Sequence, residues 1–217
     1  MTTNPADADD DAEGRPASRR RSRADVVDAA LRLLDDEGLD AVTLREVARR
    51  LGAHLNTVSF QVKTKARLFE LMADAILGGL SLDGLPAEPL DRVRAVFRRY
   101  RAALLAHRDG ARLVAGTTAI ERNTLTIGEA IVAALLAAGI DETPAVRAFW
   151  GLHYFLIGLV QEEQDVRPAA WETLRDEVRA GGYPALAVVD EAQREDSFEA
   201  RLEFGMDAFL RHAADPA

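Results

Sequence analysis

Between positions 45 and 65 the chain sets out Arg45, Asn56, Thr57, Ser59, Gln61, Lys63 and Lys65. Guanidinium and carboxamide groups pair with base edges, and hydroxyl and ammonium groups suit phosphate oxygens. The stretch reads TLREVARRLGAHLNTVSFQVKTK from Thr43 to Lys65, and Lys63 and Lys65 are the only lysines in the chain. Leu55 and Phe60 lie among these donors and complete the candidate contact set: Arg45, Leu55, Asn56, Thr57, Ser59, Phe60, Gln61, Lys63 and Lys65. Two readings are open on pattern alone. One is a surface that grips duplex DNA; the other is the solvated polar face of an ordinary helical hairpin.

Other chemistry is sparse. The chain has no cysteine, which excludes disulfides, thiol nucleophiles and thiolate metal sites and is compatible with the cytoplasm. His107, Arg108 and Asp109 have the residue types of a hydrolytic site, but neighbours in a turn rarely converge on one substrate atom, so no catalytic group is assigned. No metal ligand set and no cofactor are expected.

The elements that position the candidate residues follow from apolar periodicity. Ser22 and Asp25 form a capping box before an apolar face of Val26, Ala29, Ala30, Leu33 and Leu34, and Gly38 ends that helix. Thr43 and Glu46 form a second capping box before Leu44, Val47, Ala48 and Leu51, with Gly52 as the stop. A third short helix covers about 55–62, with Val58 and Val62 inward. Two helices around a tight glycine turn make a helix-turn-helix, whose second helix presents its first residues to the major groove. Thr64 caps a fourth helix to about residue 80, and LDGLPAEP (82–89) is a turn. Further helices are predicted at about 90–106, 118–138, 144–162 and 196–213. The 144–162 helix opens on Thr143–Pro144, a cap with proline in the first turn. Residues 164–195 read as more polar, broken by Gly-Gly-Tyr-Pro at 181–184. No alternating strand pattern appears, so the expected class is all-α.

Charge is distributed unevenly. The 217 residues carry a net charge of −9. Residues 1–14 hold five acids and no base, whereas 15–65 hold eleven bases against seven acids. A basic segment on an acidic body points to a polyanion partner at one end. Residues 1–21 form an acidic and then arginine-rich tail, expected to be disordered. Its Arg19–Arg23 cluster is either a solubilising tail or an arm that meets DNA. No apolar run reaches the roughly 18–20 residues of a membrane span, and no apolar leader opens the chain, so a cytoplasmic protein with no membrane partner is expected.

On these residues the sequence resembles the TetR family of transcriptional regulators. The likeness is carried in order by AALRLLDDEGLDAVTLREVARRLGAHLNTVSFQVKTKARLFELM (29–72), where Ser59 and Phe60 occupy positions that are usually both aromatic. It continues in AHRDGARLVAGT (106–117) and FLIGLVQEEQ (155–164), which are similar to the effector domain of the tetracycline-repressor branch. The resemblance implies an N-terminal three-helix helix-turn-helix DNA-binding domain (22–66) and a larger C-terminal helical domain for ligand binding and dimerisation (67–217). It implies a homodimer on a palindromic double-stranded operator. The last two long helices would form the subunit interface through Phe149, Leu152, Leu156 and Leu159 on one and Phe198, Leu202 and Phe209 on the other.

The same resemblance implies a small-molecule effector. The tetracycline repressor holds a drug–magnesium chelate through a His whose place is taken here by Val114. Ser81 stands where another His is expected and Val96 where an Asn is expected, while Thr117 and Glu162 match. A valine cannot ligate a hard cation, so the expected effector is another small molecule in a mostly apolar pocket. Candidate contacts are Phe97, Tyr100, Val114, Thr117, Thr118, Trp150, His153 and Glu162, with Phe155 as a further wall. The expectation is a repressor released from its operator by that ligand. The alternatives are a regulator under the control of a protein partner and a helical small-molecule binder without DNA function.

Overall fold

The computed structural model describes residues 21–118, 120–165 and 168–215, so the expectations for residues 1–20 lie outside the described residues. Eleven helices and one 3₁₀ turn account for its elements, with no strand among the described residues. The all-α class is confirmed.

The first four helices form as their local chemistry dictates. α1 (Arg23–Glu37) carries the complete Ser22–Asp25 capping box and buries Val26, Ala30, Leu33 and Leu34. Gly38 ends it at φ 86, a left-handed conformation that favours glycine. A 3₁₀ turn (Leu39–Ala41) leads to α2 (Leu44–Arg50). Only half of the second capping box forms. Thr43 Oγ1 accepts from Glu46 N at 3.1 Å, but the Glu46 carboxylate turns to Arg49, 2.8 Å from its Nε. α3 (Leu55–Val62) seals Val58 and Val62 against the core and stops at Lys63, whose φ is 61. α4 (Lys65–Gly78) begins at the Thr64 cap and packs against α1 and α3, and also against α5, α6 and α7. The boundary drawn between residues 66 and 67 therefore falls in the first turn of a helix that serves both halves.

The C-terminal half comprises α5 (Pro89–Leu105), α6 (Gly110–Ala115), α7 (Arg122–Ala137), α8 (Glu142–Gln164), α9 (Pro168–Ala180), α10 (Pro184–Glu195) and α11 (Phe198–Ala214). α8 begins two residues before Pro144, with Asp141 at the cap, and proline is tolerated there because the first-turn N–H groups have no intrahelical partner. α8 and α11 form the most extensive helix pair. Their close approach rests on glycine: a Cβ at Gly205 would collide with the Phe155 ring, and one at Gly151 would stand 2.5 Å from Phe209 Cε1.

Two expectations need correction. The polar stretch 164–195 contains two helices, α9 and α10, either side of Gly181 and Gly182, which adopt φ 116 and φ 93. They pack chiefly on one another, so neither needed the wide apolar face that marks a core helix. Of the residues expected at the subunit interface, Leu152, Leu156, Leu159 and Leu202 are buried inside the protomer, Phe149 and Phe198 are half-buried, and Phe209 is exposed beside Trp150, Tyr154 and Phe204 on α8 and α11.

Candidate nucleic-acid interface and ligand cavity

The outer face of α2–α3 is built from the inside. Val47, Ala48, Leu51, Val58 and Val62 are buried, which fixes what must point outward. Leu55, Asn56, Ser59, Phe60 and Lys63 recur at helical spacing along the exposed side of α3 and its stop. Leu55 is 41% and Phe60 73% exposed, although packing would favour burying both. Arg45 is exposed on α2, and Thr57 is half-buried. Gln61 is already engaged: its Nε2 donates to Arg21 O at 2.7 Å, and its own carbonyl accepts from Arg23 Nε at 3.3 Å. The described end of the arginine cluster thus lies against α3, and Arg21 Nη2 also donates to Leu51 O at 3.0 Å.

Ion pairing sorts the cations. Arg49 is held by Glu46, whose carboxyl lies below its ordinary value because of that bond. Arg50 bridges Asp36 and Glu37, with 2.6 Å to Glu37. Arg67 pairs with Glu70 and Glu121 at 2.9 and 2.5 Å. Arg45, Lys63 and Lys65 have no ion-pair partner among the described residues, and Lys65 Nζ sits 5.0 Å from the Phe69 ring centroid. The free positive charge of this face therefore collects on α2, at the end of α3 and at the start of α4.

The 107–112 segment ties the two halves together. Asp35 accepts from His107 Nδ1 at 3.1 Å and from Arg108 N at 3.2 Å, Asp109 Oδ2 accepts from Leu39 N at 2.8 Å, and Arg112 pairs with Asp40 at 2.8 Å. Arg112 holds the Asp40 carboxyl below its ordinary value. Each group of the His107–Arg108–Asp109 run is thus occupied in fastening this turn to α1 and the 3₁₀ turn.

A cavity of about 600 Å³ opens between α4, α5, α6, α7 and α8. Its wall comprises Ala73 and Leu77 from α4, Phe97 and Tyr100 from α5, and Val114, Ala115, Thr117 and Thr118 around the end of α6. α7 adds Thr124, Ile127, Gly128 and Ile131, and α8 adds Phe149, Trp150, His153, Tyr154, Ile157, Gly158 and Gln161. His153 is the hub of an aromatic cluster, with ring centroids 6.1 Å from Tyr100, 5.6 Å from Trp150 and 5.7 Å from Tyr154. Burial lowers the His153 pKa and raises that of Tyr100, so both are neutral at neutral pH. Neither has a hydrogen-bond partner among the described residues.

Of the candidate contacts, Phe97, Tyr100, Val114, Thr117, Thr118, Trp150 and His153 lie on this wall, whereas Glu162 is exposed and away from it. At this end of α8 the residue that reaches the wall is Gln161, one position earlier. Phe155 is elsewhere too, packed over Gly205 between α8 and α11. Sequence reading missed the whole α7 contribution, although Thr124, Ile127, Gly128 and Ile131 repeat at helical spacing and a mid-helix glycine breaks their apolar run. The wall does not suit a magnesium chelate. It offers one imidazole and no carboxylate, Val96 is fully buried in the core, and Ser81 Oγ turns to Asp83 at 3.3 Å. No cluster of three or more His, Asp or Glu among the described residues is placed to hold a metal.

Comparison with known proteins fits both halves. Residues 26–72 match the model of bacterial regulatory proteins of the tetR family, and residues 85–211 match the tetracyclin repressor-like C-terminal domain. The chain is 33% identical to the class A tetracycline repressor protein from transposon 1721 of Escherichia coli over 83% of its own length and 85% of the relative's. The crystal structure of a possible TetR family transcriptional regulator from Streptomyces coelicolor A3(2) superposes with a TM-score of 0.79 at 34% identity, covering 88% of this chain and 97% of that one. Apo ActR from Streptomyces coelicolor shares the fold at a TM-score of 0.83 and 22% identity, covering 93% and 100%.

Proposed function

Because the chain belongs to the TetR family of transcriptional regulators, we propose that it is a homodimeric repressor that leaves a palindromic operator when a small molecule other than tetracycline–magnesium fills the cavity. The observation that carries this reading is the position of α4. Ala73 and Leu77 of α4 line the cavity, and the same helix packs against α1 and α3 of the helix-turn-helix. A ligand that fits the cavity better in one setting of α4 shifts the population of DNA-binding conformers, by no more than its differential affinity for the two settings.

On the operator, Arg45 and Asn56 read base edges, while Thr57, Ser59, Lys63 and Lys65 hold phosphates. Leu55 and Phe60 supply apolar contact in the groove, and Gln61 orients α3 against the chain entering α1. Two copies of α3, about one helical turn apart, fit successive major grooves. The second copy is expected to cover Phe204 and Phe209, two aromatic side chains left exposed on α11 and away from the cavity. Residues 22–66 and 67–217 then act as reader and sensor, with α4 continuous between them. The test is selection of bound duplexes from a random pool, repeated with candidate ligands. A palindromic consensus that is lost on adding one ligand class is the expected result; recovery of no consensus would reject the reading.

A further inference from the structure

We propose that the cavity takes an uncharged, flat aromatic compound bearing a carbonyl or hydroxyl oxygen that pairs with Tyr100 and His153. This rests on the cavity being the effector site and names the chemistry of what enters it.

Charge is the first argument. None of the nineteen residues on the wall is Asp, Glu, Lys or Arg. An ionised ligand would lose its water and find no counter-charge, a heavy penalty in an apolar enclosure. Both titratable groups on the wall with shifted values are held neutral by burial. Shape is the second argument. Tyr100, Phe149, Trp150, His153 and Tyr154 present ring faces and edges to one space, and Phe149 stacks on His153 at 6.5 Å with 14° between planes. Such a wall favours a planar π-system over a branched aliphatic one. Polarity is the third. The Tyr100 phenol is only 5% exposed, its ring lies 6.1 Å from that of His153, and neither makes a hydrogen bond among the described residues. Both residues line the cavity, and a phenol and a neighbouring imidazole without protein partners among the described residues can be engaged together by one ligand oxygen placed between them.

The space for such a ligand is kept open by Gly128. Glycine in the middle of a helix is destabilising relative to alanine. A Cβ there would meet nothing closer than Phe149 Cζ, at 4.0 Å. No packing contact therefore requires the glycine, and what its missing side chain leaves is room in the cavity. Gly128→Leu should fill part of that room while leaving the helix as stable or more so, which makes it a blocking variant that folds.

The experiment compares three isosteric fluorescent probes on the full-length dimer: 9-anthracenemethanol, 9-anthracenecarboxylate and 9-anthracenylmethylammonium. The neutral alcohol should bind about a hundredfold tighter than either ion. Gly128→Leu should abolish that binding with an unchanged or raised Tm, and Tyr100→Phe should weaken it about fivefold. If an ion binds as tightly as the alcohol and Gly128→Leu still abolishes it, the ligand class is overturned while the cavity stands as the effector site. If Gly128→Leu leaves binding unchanged, or no probe binds, the ligand class and the effector reading of the cavity both fail.

Discussion

Asp74 of α4 caps the start of α7 through Thr124: Asp74 Oδ1 accepts from Thr124 N at 2.8 Å and from Thr124 Oγ1 at 2.9 Å. Its other oxygen accepts from Asn123 Nδ2 at 3.0 Å. The residue at the cap position, Glu121, makes no capping bond and instead meets Arg67 at 2.5 Å. α7 thus borrows its cap from α4, and Thr124 also lines the cavity. Asp74→Ala should cost about 1–2 kcal/mol, read as a drop of several degrees in Tm, and should blunt release from operator by any ligand of the cavity. An unchanged Tm would show that the cap contributes nothing.

The unpaired cations divide by role. Arg45→Ala should relax preference at one position of each half-site, by about 1–3 kcal/mol of discrimination. Lys63→Ala and Lys65→Ala should weaken binding to all duplexes alike and each lower the salt slope by about one. Arg49→Ala, which breaks an intramolecular pair, should do neither. Quantitative binding across a salt series and a panel of single-base variants separates these outcomes; a salt slope lowered by Arg49→Ala as much as by Lys63→Ala would contradict the sorting.

Phe204, 75% exposed on α11, is the residue to test for dimerisation. Phe204→Asp should leave helical content intact and give monomers with little operator affinity. Leu156→Asp should instead unfold the protomer, since Leu156 is fully buried and an unpaired charge there has no partner. Sedimentation and circular dichroism together distinguish the two. A Phe204→Asp dimer with full affinity would place the interface elsewhere.

How much was legible in the sequence follows from where information is local. Ser22–Asp25, Gly38 and Thr64 act within a few residues and their caps formed as read, while Thr43 caps α2 without the return bond from Glu46. The apolar steps of α2 and α3 settle which side of each helix is outward. What the sequence hid is long-range. Arg50 is neutralised by Asp36 and Glu37 at the far end of α1, a pairing that only the packing of α1 on α2 brings about. Leu152 and Leu156 share the apolar character of Trp150 and Tyr154, and only the packing of α11 decides which pair is left outside. The α7 wall was invisible because its contact face is mixed: Thr124 and Gly128 interrupt the apolar signal that Ile127 and Ile131 carry.

His153 gives a pH signature. Burial depresses its pKa, so the folded state binds its proton less well than the unfolded chain does. Its effect is absent at neutral pH. Stability should fall as pH drops below the ordinary histidine value of about 6.5 and stop falling once the folded-state value is passed. The carboxylates of Asp40 and Asp207, held low by Arg112 and Arg94, act in a separate window. Their stabilisation is present above the ordinary carboxylate value of about 4 and is lost below it. His153→Gln should flatten the first fall and leave the second. Chemical denaturation between pH 7 and pH 3 resolves the two, and an unflattened first fall would mean that His153 is not its source.

Tetracycline with magnesium should not release this regulator from its operator. A hard cation needs oxygen or imidazole ligands in a defined array, and Val114 presents a hydrocarbon where the tetracycline-repressor branch presents an imidazole. Glu162, the carboxylate expected to help, points to solvent, and Gln161 takes its place on the wall. Gln161 offers one neutral oxygen, too little for an ion that releases its waters reluctantly. Val114→His alone should also fail. Val96 is buried beneath the wall and Ser81 is turned to Asp83, so neither can orient the drug. Titrating a labelled operator complex with tetracycline, with and without magnesium, decides the matter. Magnesium-dependent release at micromolar drug would mean that the cavity rearranges to supply ligands absent from its present wall.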